Sequence, residues 1–355
     1  MPPTPLLARQ LAPRAPEERL EIAAAYLREG YYRDGWALYE ARREMASHPG
    51  HALPTDAPVW TGREDIAGRR LLLWHEQGLG DTIAMLRFVP IAAQRGARIL
   101  LAVRPALRRL ALGITDVERV VTAGEAFEEV DFHCPLMSLP HVLGVRLATL
   151  PAAAPYLTIP AGLEERWRDR LGAKQGLRAG LVCSGDPRNG HDPVRRVPAL
   201  ALRPLLACPG VEFHLLQNDV RPEDEACFAA APNVRNHVAA FSDLADVAAL
   251  AANMDVVVTV CTATAHLAGA LGLRTSVMLS AEPYFLWMLW REDSPWYSTL
   301  RLFRQERLGD WGSVIDNVAR DILNPTSGSH NLTRNNFNFA GEAGLSHEAD
   351  QRETP

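Results

Sequence analysis

Apolar runs alternate with amphipathic stretches through most of the chain, and this alternation predicts a parallel α/β fold. One apolar run starts at Leu71, breaks at Gly78-Leu79-Gly80 and is followed by apolar residues at helical spacing. That order predicts a strand, a glycine turn and a helix. Residues 255–272 repeat it, with a wholly apolar strand before an alanine-rich helix that ends at Gly272. Strands that alternate with helices form parallel sheets with helices on both faces.

The pattern starts again at Arg178, which predicts two Rossmann-like domains rather than one continuous sheet. At 355 residues the chain is too long for one typical core and suits two domains. The last helix, near Val314 to Leu323, is expected to cross back to the first domain. We predict four parts: an N-terminal arm with a helical hairpin over residues 1–62, a first α/β domain over 63–160, a second over 161–324, and a disordered tail over 325–355.

Two helical patterns in the first 50 residues are separated by Gly30 and predict a helical hairpin. No second copy of this unit follows. A single unit cannot bury both of its faces, so we expect it to dock on the rest of the chain. The order of its residues resembles one tetratricopeptide unit, through Ala25-Tyr26-Leu27, Gly30, Tyr32, Gly35-Trp36 and Leu38-Tyr39-Glu40.

Composition narrows the classes of function. The formal charge is -5 and the arginines are spread along the chain, which disfavours nucleic acid as a partner. No apolar run reaches about 18 residues and the N-terminus lacks a signal-peptide pattern, so no integral membrane segment and a cytoplasmic location are expected. The five cysteines are widely spaced without C-x-x-C, which indicates neither a disulfide framework nor a zinc site.

The sequence lacks the motifs of several common enzyme classes. The dinucleotide fingerprint needs a third glycine, but Ile83 stands at that place, and the next strand ends in Arg104 rather than an acidic residue. A P-loop and a G-x-S-x-G elbow are both absent from the sequence. H-E-x-x-H and Asp-x-Asp pairs are absent too, so neither a metal nor a cofactor is expected.

What remains is two turn-to-helix junctions that can face each other across a cleft. The helix N-terminus at residues 262–265 offers backbone N–H groups that can neutralise a diphosphate. The other junction offers the carboxylate of Asp81. Simpler, structural interpretations stay open for two residues, Thr262 as a helix cap and His266 as a packed or capping histidine. A different chemistry also stays open, in which Cys261 at the helix N-terminus has a lowered pKa and acts as a nucleophile.

In this order and spacing the motifs resemble the bacterial tetratricopeptide-associated glycosyltransferases. These are similar to the heptosyltransferases of glycosyltransferase family 9 and, more distantly, to the protein O-GlcNAc transferases. The resemblance runs from about Glu17 to Leu323. It rests on Glu76-Gln77-Gly78-Leu79-Gly80-Asp81-Thr82, on Thr262-Ala263 with Ala265 to Gly272, on Ser294-Pro295-Trp296-Tyr297, and on Leu302-Phe303-Arg304-Gln305.

The resemblance implies a GT-B arrangement of two Rossmann-like domains around a cleft. The second domain would hold a nucleotide-diphosphate sugar as donor, and the first an acceptor that is a glycan, a lipid-linked sugar or a protein side chain. The implied reaction is an inverting, metal-independent hexosyl or heptosyl transfer in which Asp81 deprotonates the acceptor hydroxyl. The residues expected to bind substrates are Gln77, Gly78, Gly80, Thr82, Arg195, Gln217, Cys261, Thr262, Ala263, Thr264 and His266.

The donor side departs from the family pattern. Cys261 stands where the family has Asp before Thr-Ala, and Arg196 and Leu286 also replace family residues. The segment that reads Asp-Trp-Arg-Trp in the family is Tyr284-Phe285-Leu286-Trp287 here. The sequence therefore leaves an alternative open, in which a glycosyltransferase fold has lost its donor chemistry and acts as a binding or scaffolding protein.

Overall fold

The computed structural model describes residue 11 and residues 14–48, 55–151 and 154–324. The tail predicted over 325–355 lies outside these residues. Helices and parallel strands alternate through the described part, which confirms the α/β prediction. Within it, no helix is both long and apolar enough to cross a membrane.

The first half contains two N-terminal helices and a four-stranded sheet. All its strands are parallel, in the order β3-β2-β1-β4. The elements are α1 (Pro16–Arg28), α2 (Tyr32–Tyr39), β1 (Arg70–Trp74), α3 (Leu79–Leu86), α4 (Val89–Ala93), β2 (Arg98–Ala102), α5 (Arg108–Ala111), β3 (Val117–Val121), β4 (Phe132–Pro135) and α6 (Leu139–Val142).

The second half is built on a separate six-stranded parallel sheet, in the order β10-β9-β8-β5-β6-β7. The two sheets fit the expectation of two α/β units, while the domain boundaries stay predictions. The elements are α7 (Leu163–Leu171), β5 (Leu177–Val182), α8 (Asp192–Arg195), α9 (Arg203–Leu206), β6 (Val211–Leu215), α10 (Pro222–Ala229), β7 (Val234–Asn236), α11 (Leu244–Ala252), β8 (Val256–Val260), α12 (Ala263–Ala270), β9 (Thr275–Leu279), β10 (Leu300–Arg304) and α13 (Gly312–Leu323).

The expected path of the last helix is wrong. Helix α13 packs on strands β9 and β10 and on α9, all within the second half. Its carboxylate Asp321 accepts hydrogen bonds from Arg274, Ser276 and Arg301, which lie at the start of those strands. These polar contacts hold the helix to its own sheet, and an apolar periodicity carries no information about which sheet it covers.

The two N-terminal helices form a close pair that docks on both halves. A Cβ at Gly35 would lie 2.7 Å from Cγ of Leu27, so only glycine allows the helices to approach this closely. The second helix ends at Tyr39, and the chain continues from Glu40 as a 3₁₀ turn. Its Trp36 is buried and packs edge-on against Phe285 of the second half. Assignment of the pair to the tetratricopeptide class stays a prediction.

A buried ion network fixes the pair to the first half. Arg42 is 5% exposed and donates to Glu76 at 2.7 and 3.0 Å, to Glu40 at 2.8 Å and to Ser138 at 2.7 Å. Burial alone would raise the pKa of Glu76, but hydrogen bonds from His48 and Arg42 hold it below its ordinary value. The network lies directly before the glycine turn at residues 78–80, and so anchors the turn that carries Asp81.

Candidate functional site

The glycine turn presents Asp81 in the first turn of α3, with its carboxylate folded back over the start of the helix. The backbone N–H of Gly78 donates to Oδ2 of Asp81 at 3.0 Å, which caps the helix in the usual manner of an acidic residue at this position. Thr82 is buried and its hydroxyl donates to the carbonyl of Gly78 at 3.0 Å. One oxygen of Asp81 is therefore occupied by its own helix, and Oδ1 points away from it.

A hydroxyl from the second half reaches Oδ1. Tyr284 follows strand β9, and its phenol O–H donates to Oδ1 of Asp81 at 2.7 Å. Asp81 retains partial exposure to solvent. Burial raises the pKa of the Asp81 carboxyl above its ordinary value, and the bonds from Tyr284 and Gly78 offset only part of that rise.

The two turn-to-helix junctions meet where the sequence predicts. A Cβ added to Gly80 would lie 2.8 Å from Cδ2 of His266 and 3.5 Å from Cα of Ala263. Helices α3 and α12 pack on each other there, so glycine is required for this close approach. Asp81 on the first half thus lies beside the N-terminal turn of α12 on the second.

The N-terminus of α12 lacks a side-chain cap. Thr262 is the N-cap residue, but the predicted capping bond is not formed, because its Oγ1 pairs with Oγ1 of Thr259 at 3.3 Å. The backbone N–H groups of Ala263 and Thr264 are therefore not satisfied by a capping side chain. Such groups, with the positive end of the helix dipole, form a site that favours an anion.

Arg195 lies at the same helix N-terminus. Its Nη1 donates to the carbonyl oxygen of Cys261 at 2.9 Å, and its Nε donates to Asp192 at 3.1 Å. Asp192 is buried and also pairs with Arg221, so two guanidinium groups share one carboxylate and leave net positive charge beside α12. Arg196 pairs instead with Asp224 and Glu223 on α10.

The lowered pKa expected of an activated nucleophile is not found at Cys261. Burial raises the pKa of its thiol, and Trp287 Nε1 donates to its sulfur at 3.0 Å. His266 stacks on Trp287 with ring centroids 4.8 Å apart, and its Nδ1 pairs with the hydroxyl of Tyr297 at 2.9 Å. Burial and the nearby Arg87 lower the pKa of His266 to about 3, so this ring is neutral.

Two glutamines predicted at the site are engaged elsewhere. Gln217 is 4% exposed; its Oε1 accepts from the backbone N–H of Cys183 at 3.1 Å and its Nε2 donates to the carbonyl of Asp219 at 2.8 Å. Gln77 donates to the hydroxyl of Tyr39 at 2.8 Å. These bonds give both side chains a structural role, and a contact with substrate stays a prediction for each.

Sequence reasoning missed the residues that join the two halves. Tyr284 was noted only as a departure from a family pattern, and its partner stands 203 positions earlier. Arg87 is buried, donates to the carbonyls of Pro151 and Trp296 at 2.8 and 2.7 Å, and packs against the ring of Tyr297. An arginine directly after an apolar helix is the one signal in the sequence, because such a charge is buried only when it has partners.

Comparisons with known proteins agree with this architecture. No family model matches the chain. Protein FlbA of Caulobacter vibrioides is 26% identical over an alignment of 344 residues, and this alignment covers 88% of this chain and 56% of that protein. The chain thus spans little more than half the length of this curated relative.

Two solved structures share its fold. The glycosyl transferase family 9 protein from Veillonella parvula superposes with a TM-score of 0.55 at 10% identity, covering 75% of this chain and all of that one. The E. coli ADP-heptose LPS heptosyltransferase II gives a TM-score of 0.50 at 14% identity, covering 72% and 99%. At these identities the likeness shows the two-sheet fold alone.

Proposed function

We propose that this protein is a glycosyltransferase that moves a sugar from a nucleotide-diphosphate sugar to an acceptor hydroxyl. The observation that carries the proposal is the position of Asp81, a carboxylate on one half that lies beside the uncapped N-terminus of α12 on the other. A base and an anion site are the two groups that this transfer needs, and here they belong to different halves. The fold shared with family 9 structures supports the same reading.

The proposed reaction is a direct displacement. Asp81 takes the proton of the acceptor hydroxyl while the acceptor oxygen bonds to the anomeric carbon of the donor sugar. The bond from that carbon to the diphosphate oxygen breaks, and the nucleoside diphosphate leaves with the electron pair. Attack from the face opposite the leaving group inverts the anomeric configuration.

Charge on the leaving diphosphate is neutralised by the second half. The N–H groups at the start of α12 and the guanidinium of Arg195 would face it, in place of a metal ion. Arg195 is held by Asp192 before any substrate arrives, so little ordering of its side chain is needed on binding. A nucleotide-sugar donor and a glycan or protein acceptor are therefore the proposed partners.

A binding experiment tests the donor site. The protein is heated with UDP, GDP, ADP or CMP, and one nucleoside diphosphate is expected to raise the melting temperature. At 100 times its Kd that ligand adds about 2.7 kcal/mol of stability. Arg195→Ala is expected to weaken binding, while Arg188→Ala is the matched control, because Arg188 lies in the same loop, is exposed and pairs only with Asp186 among the described residues.

A second candidate is a scaffolding protein on the same fold. It is favoured by two hydrogen bonds to Cys261, from Trp287 to its sulfur and from Arg195 to its carbonyl oxygen. These two side chains fill space beside the N-terminus of α12. In that case wild type binds no nucleotide at millimolar concentration, and Cys261→Asp does not restore binding. Selective micromolar binding by the unmodified protein decides for the glycosyltransferase.

A further inference from the structure

Among the described residues, Tyr284 is the only one whose side chain donates a hydrogen bond to Asp81. The other bond to this carboxylate comes from the backbone N–H of Gly78. The ring of Tyr284 lies 4.2 Å from that of Phe285, measured between centroids. Phe285 is in turn packed against Trp36 and Tyr39 of α2, at 5.8 and 5.3 Å. The phenol ring of Tyr284 thus belongs to a cluster of aromatic side chains that joins α2 to the second half.

We propose that Tyr284 is the positioning residue of the transfer: its hydroxyl orients Oδ1 of Asp81 at the boundary between the two halves and keeps this carboxylate ionised there. The proposal rests on the proposed function, in which Asp81 is the base. Tyr284 keeps its own proton throughout, and the acceptor proton goes to a free lone pair of Asp81.

Two bonds fix the plane of the carboxylate. Gly78 holds Oδ2 from the first half, and Tyr284 holds Oδ1 from the second. A carboxylate has about four lone-pair sites, so these two bonds leave room for a further hydrogen bond from an acceptor hydroxyl. The acceptor hydroxyl therefore meets a base whose direction is set before it binds, which is the condition for efficient proton transfer.

The same bond counters the effect of burial on Asp81. Burial raises the pKa of this carboxyl, and a protonated carboxyl cannot accept the acceptor proton. A hydrogen bond donated to the charged form stabilises that form and shifts its titration by about one to two pH units. Burial and the charge of Asp81 raise the pKa of Tyr284 well above its ordinary value, so the phenol stays a donor.

Other groups that face Asp81 do not titrate in the same range. Burial raises the pKa of Tyr39 and of Cys261, and hydrogen bonds from His48 and Arg42 lower that of Glu76. Burial lowers the pKa of His266 to about 3, so its ring is neutral above that pH. Glu76 directly precedes the glycine turn, Tyr39 lies in α2, Cys261 directly follows β8 and His266 lies in α12. The titration is therefore followed on the Asp81 carboxyl itself.

The test measures the ionisation of Asp81 directly. Aspartate carboxyl carbons are labelled with ¹³C, the Asp81 resonance is assigned by its loss in Asp81→Asn, and its shift is followed against pH. Tyr284→Phe removes one hydroxyl and is expected to raise the midpoint by about one to two pH units. Tyr32→Phe is the matched control, since it removes a buried hydroxyl that bonds only to Trp296 among described residues.

Each outcome decides something different. An unchanged midpoint in Tyr284→Phe overturns the proposal. A raised midpoint in a protein that transfers no sugar supports the tuning of Asp81 and overturns the proposed function alone. If transfer is observed, the acid limb of kcat/KM must move with the midpoint, and a limb that stays in place overturns the role in catalysis.

A second measurement covers the case in which Tyr284→Phe does not fold. All seven tyrosines are replaced by 3-fluorotyrosine, whose phenol is more acidic and a stronger donor. Tyr284 is the described tyrosine that bonds to Asp81, so the Asp81 midpoint is expected to fall. A midpoint that does not move overturns the proposal.

Discussion

Gly80→Ala is expected to destabilise the protein through a single contact between the two halves. The added methyl group would lie 2.8 Å from Cδ2 of His266, closer than carbon atoms approach in folded proteins. The imidazole cannot swing aside cheaply, because it is 3% exposed, stacked on Trp287 and bonded to Tyr297. Overpacking of this kind costs about 1 to 3 kcal/mol.

A second effect of the same substitution has the opposite sign. Alanine is a better helix former than glycine by at most about 1 kcal/mol, and less in the first turn of a helix, where residue 80 lies. The net expectation is a loss of about 0.5 to 2 kcal/mol. In a background that carries His266→Ala the clash is gone, so the same substitution should be neutral or stabilising.

Urea unfolding of the four proteins in this cycle measures the coupling. The midpoints are compared after checking that the slope of the transition is unchanged, because a two-domain chain can unfold in steps. Gly190→Ala is the control, since a Cβ there would meet no described atom within 4 Å. Equal effects of Gly80→Ala in both backgrounds would refute the contact between Gly80 and His266.

Three further predictions concern the base and the boundary between the halves. Asp81→Asn should lower turnover by at least about 100-fold and leave nucleotide binding intact, as judged by initial rates and thermal shift. Because burial raises the pKa of Asp81 in the folded state, the ionised carboxylate lowers stability above that pKa, and this loss disappears as pH falls toward about 4. The urea midpoint of wild type should therefore rise relative to that of Asp81→Asn as pH falls through this range. Arg109→Ala removes the ion pairs to Asp243 and Asp246, at 2.6 and 2.7 Å, and should lower the free energy of unfolding by only about 1 kcal/mol, because the site is partly exposed. Arg98→Ala is the control: its partner Glu118 lies in the same half, so the contact between the halves should be unchanged.

Local pattern was enough to predict the elements and the turn that carries the base. An apolar run, two glycines and helical spacing identify β1 and α3 without any tertiary information, and Asp81 follows as the first carboxylate after the turn. The same reasoning applies to β8 and α12. Because the carboxyl ends of parallel strands carry the following loops, the pattern also predicted that these two turns can face a crevice.

Long-range partners were not predictable in this way. The bond from Tyr284 to Asp81 joins residues 203 positions apart, and no periodicity links a tyrosine after one strand to a turn after another. Thr262 illustrates a local rule that tertiary structure overrides: its hydroxyl is taken by Thr259 on β8, so the expected cap is not made. The position of α13 was not predictable for the same reason, since the hydrogen bonds that Asp321 accepts from Ser276 and Arg301 join the helix to the second sheet.

Apolar packing rather than the polar bonds at Asp81 holds the halves together, and this decides how the variants can be interpreted. Trp36, Phe285 and Trp296 are each at most 4% exposed and pack on one another across the boundary. Burial of each such side chain is worth about 2 to 3 kcal/mol, whereas one hydrogen bond to a charged group is worth about 1.5 to 3 kcal/mol in total. Removing the bond between Tyr284 and Asp81 therefore leaves most of the boundary intact. Gly80→Ala disturbs the packing and spares the side chains of Asp81 and Tyr284, so it should lower stability more than Asp81→Asn or Tyr284→Phe does. If it does, a loss of transfer in either of those two variants reports the chemistry of the carboxylate.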